Sequence, residues 1–290
     1  MKIKIIVSAV SLVLISSYAF AGGGWTKPKG KSYIKVAGWW VESQDFFSGK
    51  GEKTSGVTTG LFNANVYAEY GFTDKLTAIA YVPFFSRSYQ NKRITNGVDD
   101  SFLSGGSLNS IGDIELGAKY SLINLGGVAL SGSIILGLPT GNDGGSQVLS
   151  LATGDGEFNQ IVRVDLGFSF LNTDVVNMYG NIYGGFNNRT KGFSDELRAG
   201  FEVGAGVLDD TLWFIGKFDT IQSLNNGTRE SGGDSASIFA NNSEATNIVA
   251  ESAYYLTKQI GINGSVSIPL AGQNIFNAPA YSLGLFLDIK

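Results

Sequence analysis

The stretch Glu157-Phe158-Asn159-Gln160-Ile161-Val162-Arg163-Val164-Asp165-Leu166-Gly167-Phe168-Ser169-Phe170 decides the fold. Phe158, Val162, Val164, Leu166, Phe168 and Phe170 fall on one phase of a two-residue period, and Glu157, Arg163, Asp165, Gly167 and Ser169 on the other. Successive side chains of a strand point to opposite faces, so this segment predicts a long strand with one oily and one polar face.

The same pattern spreads in both directions. Phe62, Ala64, Val66, Ala68 and Tyr70 alternate with Asn63, Asn65, Tyr67 and Glu69. Ile114, Leu116, Ala118, Tyr120 and Leu122 alternate with Asp113, Glu115, Gly117, Lys119 and Ser121. Leu197, Ala199, Phe201 and Val203 alternate with Arg198, Gly200, Glu202 and Gly204. About twelve such segments are predicted, near 32–42, 57–71, 75–86, 110–122, 128–140, 157–171, 176–188, 195–207, 211–222, 244–256, 259–270 and 280–290. Each exceeds the usual strand of about 5–6 residues and meets the roughly 9–11 tilted residues that cross a bilayer. Short connections (Thr73-Asp74, Leu122–Gly127, Asn172–Val175, Leu208–Asp210, Thr257-Lys258) alternate with mostly longer ones rich in Gly, Asn and Ser. An up-and-down barrel with short periplasmic turns and longer outer loops has that asymmetry.

A soluble β-sandwich or lipocalin-like barrel also alternates, but one small core could not absorb a dozen apolar faces. Turning those faces to lipid satisfies all of them, and closure removes the sheet edges. The expected fold class is therefore all-β: a transmembrane antiparallel up-and-down β-barrel of about 12 strands. Trp39, Trp40, Tyr70, Phe84, Tyr120, Phe158, Phe170 and Tyr254 lie near strand ends and suit aromatic girdles.

Composition narrows function. Among 290 residues there is neither Cys nor His, which removes disulfides, thiolate nucleophiles, zinc-type sites and imidazole bases. No enzymatic activity, catalytic residue, metal or cofactor is predicted. Charged residues are 16%, against about 25% in soluble domains, and the mean hydropathy of +0.08 is too low for a helical membrane bundle.

Met1–Ala21 has Lys2 and Lys4, an apolar run and Ala19-Phe20-Ala21, the three-part pattern of a secretory signal peptide. The domain plan is thus a signal peptide over 1–21 and one outer-membrane barrel over 22–290, in a bacterial envelope. Cleavage leaves 19 basic against 25 acidic residues, a net charge of −6, with no electrostatic reason to bind nucleic acid.

The polar phase of the strands carries the candidate lumen residues: Lys35, Glu69, Asp113, Glu115, Lys119, Arg163, Asp165, Arg198, Glu202, Lys217, Asp219 and Glu251, with Glu196 beside them. Arg163/Asp165 and Lys217/Asp219 stand two apart, within reach of one another or of the next strand. Twelve strands lie between the filled interior of eight and the open channel of sixteen, so a narrow lumen is expected. Its charges either neutralise one another or line a pathway, and their mixed sign argues against strong ion selectivity. The loops hold apolar clusters at Phe46-Phe47, Phe102-Leu103, Val148-Leu149 with Leu151, and Ile238-Phe239, which either pack together or receive a hydrophobic solute. Gly154-Asp155-Gly156-Glu157 lacks calcium-loop spacing and reads as a loop tip.

Ile111-Gly112-Asp113-Ile114, Leu136-Gly137-Leu138-Pro139-Thr140-Gly141-Asn142, Thr153-Gly154-Asp155-Gly156-Glu157 and Phe193-Ser194-Asp195-Glu196-Leu197 form an ordered series. With it the chain resembles the outer-membrane transporter family named for the meta-cleavage pathway of phenol degradation. The resemblance implies a porin-like barrel near pathways for aromatic or hydrophobic compounds, and supplies no catalytic residues. The last segment, Tyr281–Lys290, resembles the C-terminal signal read by the barrel-assembly machinery, without its terminal aromatic. The expected function is a channel for small solutes, hydrophobic or aromatic ones among them, with outer-membrane lipid and the solute as partners. The alternative is a sealed structural or adhesive barrel acting through its loops.

Overall fold

The computed structural model describes residues 23–90, 106–143, 151–229 and 238–290. The signal segment 1–21 and the clusters Phe102-Leu103 and Val148-Leu149 lie outside them. Fourteen strands follow in order: β1 (Ser32–Phe47), β2 (Lys53–Thr73), β3 (Leu76–Gln90), β4 (Gly106–Ser110), β5 (Ile114–Asn124), β6 (Val128–Leu138) and β7 (Asn159–Asn172), then β8 (Val176–Asn188), β9 (Glu196–Val207), β10 (Leu212–Ser223), β11 (Glu244–Tyr255), β12 (Ile260–Gln273), β13 (Ile275–Phe276) and β14 (Ala280–Ile289). Every pairing is antiparallel, β3 pairs with β5 as well as β4, β12 pairs with β14, and β1 pairs with both β2 and β14, which closes the cylinder.

Twelve strands build the wall. β13 is a two-residue contact on the upper end of β1. β4 and β5 are one wall strand in two pieces, because both pair with β3 in the same register. The interruption falls where Pro83 stands on β3. Proline has no N–H for the ladder, and the pairing of β2 with β3 shifts register there, between Ala64 and Val66. Gly112 crosses against Pro83, donates to its carbonyl at 2.8 Å, and leaves no room for a side chain: an added Cβ would lie 2.6 Å from the proline ring. Because of the bulge, Phe84 and Phe85 both face outward.

The predicted spans agree with the strands to within a few residues, except that β1 and β2 run further. Their hairpin is only residues 48–52, not the predicted 43–56 loop, because polar residues can extend a sheet above the membrane where propensity alone suggests a loop.

Burial is inverted relative to a soluble domain. Among the described residues 24 polar or charged residues are buried against 14 hydrophobic ones, while Val162, Val164, Leu166, Phe201, Phe214, Leu283 and Leu285 are exposed. An apolar belt of that size is stable only against lipid. Of the proposed girdle residues, Trp40, Tyr70, Phe84, Tyr120, Phe170 and Tyr254 face outward. Trp39 does not. It follows Lys35 and Ala37 on the inner phase of β1 and packs on a cluster of Val41, Phe46, Leu61 and Phe276, since only one of two adjacent residues can face out. Phe158, just before β7, is only partly exposed.

An outward cation at mid-height should be costly. Val164→Arg is expected to lose about 2–4 kcal/mol of folding free energy in lipid vesicles, read from urea-dependent folding. Wild-type stability of that variant would contradict the outward orientation.

Candidate functional site

The inner wall is a polar network arranged by register. Arg163 grips Asp165 with two bonds, Nε to Oδ2 at 2.9 Å and Nη2 to Oδ1 at 2.6 Å, and its guanidinium lies 3.7 Å from the Tyr183 ring centre. The other couple takes the second outcome expected of it and bonds across to other strands. Lys217 is directly opposite Glu202 on β9 and bridges Glu202 at 3.2 Å and Glu251 at 2.9 Å, while Asp219 accepts from Tyr183 at 2.6 Å. Opposite residues on paired strands are closer than residues two apart on one strand, so the cross-strand partner wins. Glu202 also accepts from Tyr179 at 2.7 Å and Glu251 from Asn263 at 3.1 Å. Glu69 accepts from the Tyr67 hydroxyl, and Arg198 holds Glu196 at 2.8 Å. Glu115 and Lys35 have no ion-pair partner within 4 Å among the described residues.

Lys119 reveals an element missed in the sequence. Its Nζ donates to the Gly23 carbonyl at 2.9 Å, because residues 23–31 run from the short-turn end into the lumen. The Gly24 amide donates to Asn181 at 3.0 Å and the Lys27 amide to Thr77 at 2.8 Å, while the Lys29 amide binds Asp74 at 2.9 Å. Lys27 pairs with Asp288 at 3.4 Å. Trp25 packs edge-on to Tyr179 and occupies the place of a side chain at Gly167, where an added Cβ would sit 2.3 Å from the indole. This strap crosses the lower lumen. A lone Trp in a Gly- and Lys-rich stretch ahead of β1 was the available signal.

Beside the strap lies a cavity of about 290 Å³. Its wall combines Tyr33, Tyr67, Tyr179, Trp213, Tyr255 and Phe286 with Lys27, Lys35, Lys217, Glu69, Glu202 and Glu251. Five of the twelve predicted lumen residues therefore meet in one place: Lys35, Glu69, Glu202, Lys217 and Glu251. Lys119, Arg163, Asp165, Arg198 and Asp219, with Glu115, occupy other parts of the inner wall. The aromatic half of the cavity was missed, although Tyr67 and Tyr179 share the inner phase with the charges.

Asp113 is not in the wall ladder. It sits in the break between β4 and β5, released from pairing by the Pro83 bulge, and holds the outer loops. Its Oδ1 accepts from the Gly141 amide at 2.8 Å and its Oδ2 from the Asp155 amide at 2.9 Å. Thr140 bonds Gly112 and Ile114, and Thr153 bonds Ile111. Alongside, buried Arg189 binds Glu157 at 2.6 Å, Glu196 at 2.8 Å and Asp155 at 3.2 Å, with Phe193 under its guanidinium. Burial lifts the Glu157 carboxyl above the usual range, although Arg189 and Thr190 pull it down. Burial works against the Arg189 charge too, but Glu196, Glu157 and Asp155 outweigh it and raise its pKa. The four motifs of the ordered series thus fold into one outer-end latch. Phe46 and Phe47 are buried and Phe239 packs on the cluster of Val41, Phe46, Leu61 and Phe276, so these loop hydrophobics pack together.

The chain is similar in fold to the COG4313 outer membrane channel from Pseudomonas putida F1, with a TM-score of 0.59 and 16% identity over 93% of this chain and 100% of that one. It is also similar to the β domain of the Bordetella autotransporter BrkA, with a TM-score of 0.50 and 12% identity over 90% and 100% of the two chains. At these identities the likeness establishes the barrel fold and nothing finer. No family model matches the chain, and no curated protein does.

Burial pushes the Asp113 carboxyl up to about 6; the Gly141 and Asp155 amides oppose this and the Asp155 charge adds to it. A carboxyl raised above its unfolded value of about 4 binds its proton more tightly when folded. Its stabilising contribution is complete below pH about 4 and lost as pH climbs through about 6. The melting temperature of the wild type in detergent should therefore fall relative to Asp113→Asn across that window. Parallel curves would contradict the assignment.

Proposed function

We propose that this chain is an outer-membrane channel for small solutes, hydrophobic or aromatic ones among them, whose path runs along the inner-face charges. The observation that carries this reading is the cavity of about 290 Å³ inside a closed wall whose outer face is apolar. Intramembrane charges facing a cavity mark solute or ion paths more often than ordinary scaffolding. Lys35, Glu69, Glu115, Lys119, Arg163, Asp165, Arg198, Glu202, Lys217, Asp219 and Glu251 line it in this reading, and Asp113 secures its outer mouth.

The motif series at the latch supports kinship with the meta-cleavage-pathway transporter family, whose name reflects gene association and supplies no substrate. The partners in this account are outer-membrane lipid, the solute and, during biogenesis, the barrel-assembly machinery acting on β14. Nucleic acid and enzymatic chemistry have no part in it. The sealed, adhesive alternative draws on one observation, the strap across the lower lumen.

Planar-bilayer recording separates the two. Wild-type protein should give small unit steps, and Trp25→Gly, which frees the strap from Tyr179 and Gly167, should enlarge them severalfold. Silence from both proteins, with correctly folded barrels, would favour the sealed reading.

A further inference from the structure

Hydrogen bonding around the lumen cavity is lopsided. Each of its carboxylates already has a donor: Glu202 takes Lys217 and Tyr179, Glu251 takes Lys217 and Asn263, and Glu69 takes Tyr67. Among the donors, Lys27 and Tyr255 are engaged by Asp288, and the Trp213 indole donates to the Asp210 carbonyl at 3.0 Å. Two donors in the wall have no acceptor among the described residues, the Lys35 ammonium and the Tyr33 hydroxyl. They stand two apart on the inner face of β1, about 7 Å between Cβ atoms, and aim into the same space. Glu251 acts on Lys35 through space but beyond ion-pair distance.

Between these charged groups the wall is lined by packed aromatic rings. Tyr33 stacks on Phe286 at 5.7 Å, Tyr255 meets Phe286 edge-on at 4.9 Å, and Trp213 packs on Tyr179 at 5.8 Å. A volume of about 290 Å³ equals about ten waters, room for a molecule of about ten non-hydrogen atoms. A ligand that completes this surface offers one anionic acceptor to Lys35 and Tyr33 and a compact apolar body to the rings.

We propose that the cavity is a binding site for small organic monocarboxylates with a compact apolar body, the carboxylate held by Lys35 and Tyr33 on β1. This rests on the channel reading and names the solute class for it. An organic cation, drawn by the ring faces and glutamates, is the competing chemistry, disfavoured because every carboxylate in the wall already has its donor.

Calorimetric titration of the purified full chain in lipid nanodiscs tests it, with benzoate as probe, benzamide as the neutral isostere and benzylamine as the cation. Benzoate should bind at least about tenfold more tightly than either, since the charge-assisted contact is the discriminating one. Lys35→Met should lose that preference, Lys35→Arg should keep it, and Tyr33→Phe should weaken benzoate severalfold. Heat-dependent gel migration confirms that each variant is folded; if Lys35→Met does not fold, the three probes on the wild type still decide. Benzamide or benzylamine binding as tightly as benzoate, or benzoate binding unchanged in folded Lys35→Met, would overturn the proposal. Unit steps in bilayers without benzoate binding would overturn it and leave the channel reading standing. Benzoate binding with silent bilayers would support the site and sink the channel.

Discussion

Hydrocarbon offers no hydrogen bonds, so each backbone N–H and C=O of a spanning strand has to find its partner on a neighbouring strand. The ladder between β1 and β14, ten residue pairs from Ser32 with Ile289 to Val41 with Ala280, meets that demand for the first and last strands of the wall. Everything else follows from closure. Once the sheet has no edge, its two faces are an outside in lipid and an inside that must take every polar side chain of the wall. Leu283 and Leu285 face out, while Phe286 and Asp288, on the opposite phase of the same strand, are buried inside.

The inside then has its own problem, because charges in a narrow lumen cannot be left without partners. Register solves most of it, by setting Lys217 between Glu202 and Glu251 and Arg163 beside Asp165. The strap from Gly23 to Lys31 takes up further donors and acceptors at the lower end, and the Arg189 cluster does so at the upper end. Among the described residues, what the cavity wall leaves without a partner is small and specific: one lysine ammonium and one tyrosine hydroxyl. The surrounding pairs keep both groups in place.

The wall was legible in the residues because its signal is local. A period of two over ten or more residues survives any tertiary detail, which is why Val176–Asn188 was located to the residue. Features that depend on distant partners were not legible. Asp113 carries the same alternation as Glu115, and only the proline on the neighbouring strand takes it out of the ladder. Lys217 and Asp219 stand within reach both of each other and of the next strand, and only the facing strand decides between the two. Trp25 looks like part of a linker until Gly167 leaves a hole for its ring. The stretch read as a loop tip, with Asp155 and Glu157, helps to latch three loops together, a role spelled by no single loop.

Oily side chains of the wall meet lipid while ionised ones are hidden inside. The chain has no cysteine, so single cysteines at 162, 163 and 164 on β7 can each carry an environment-sensitive fluorophore in vesicles containing brominated lipid. Strong quenching is expected from Val162→Cys and Val164→Cys and little from Arg163→Cys. Equal quenching at all three positions, or the opposite alternation, would contradict it.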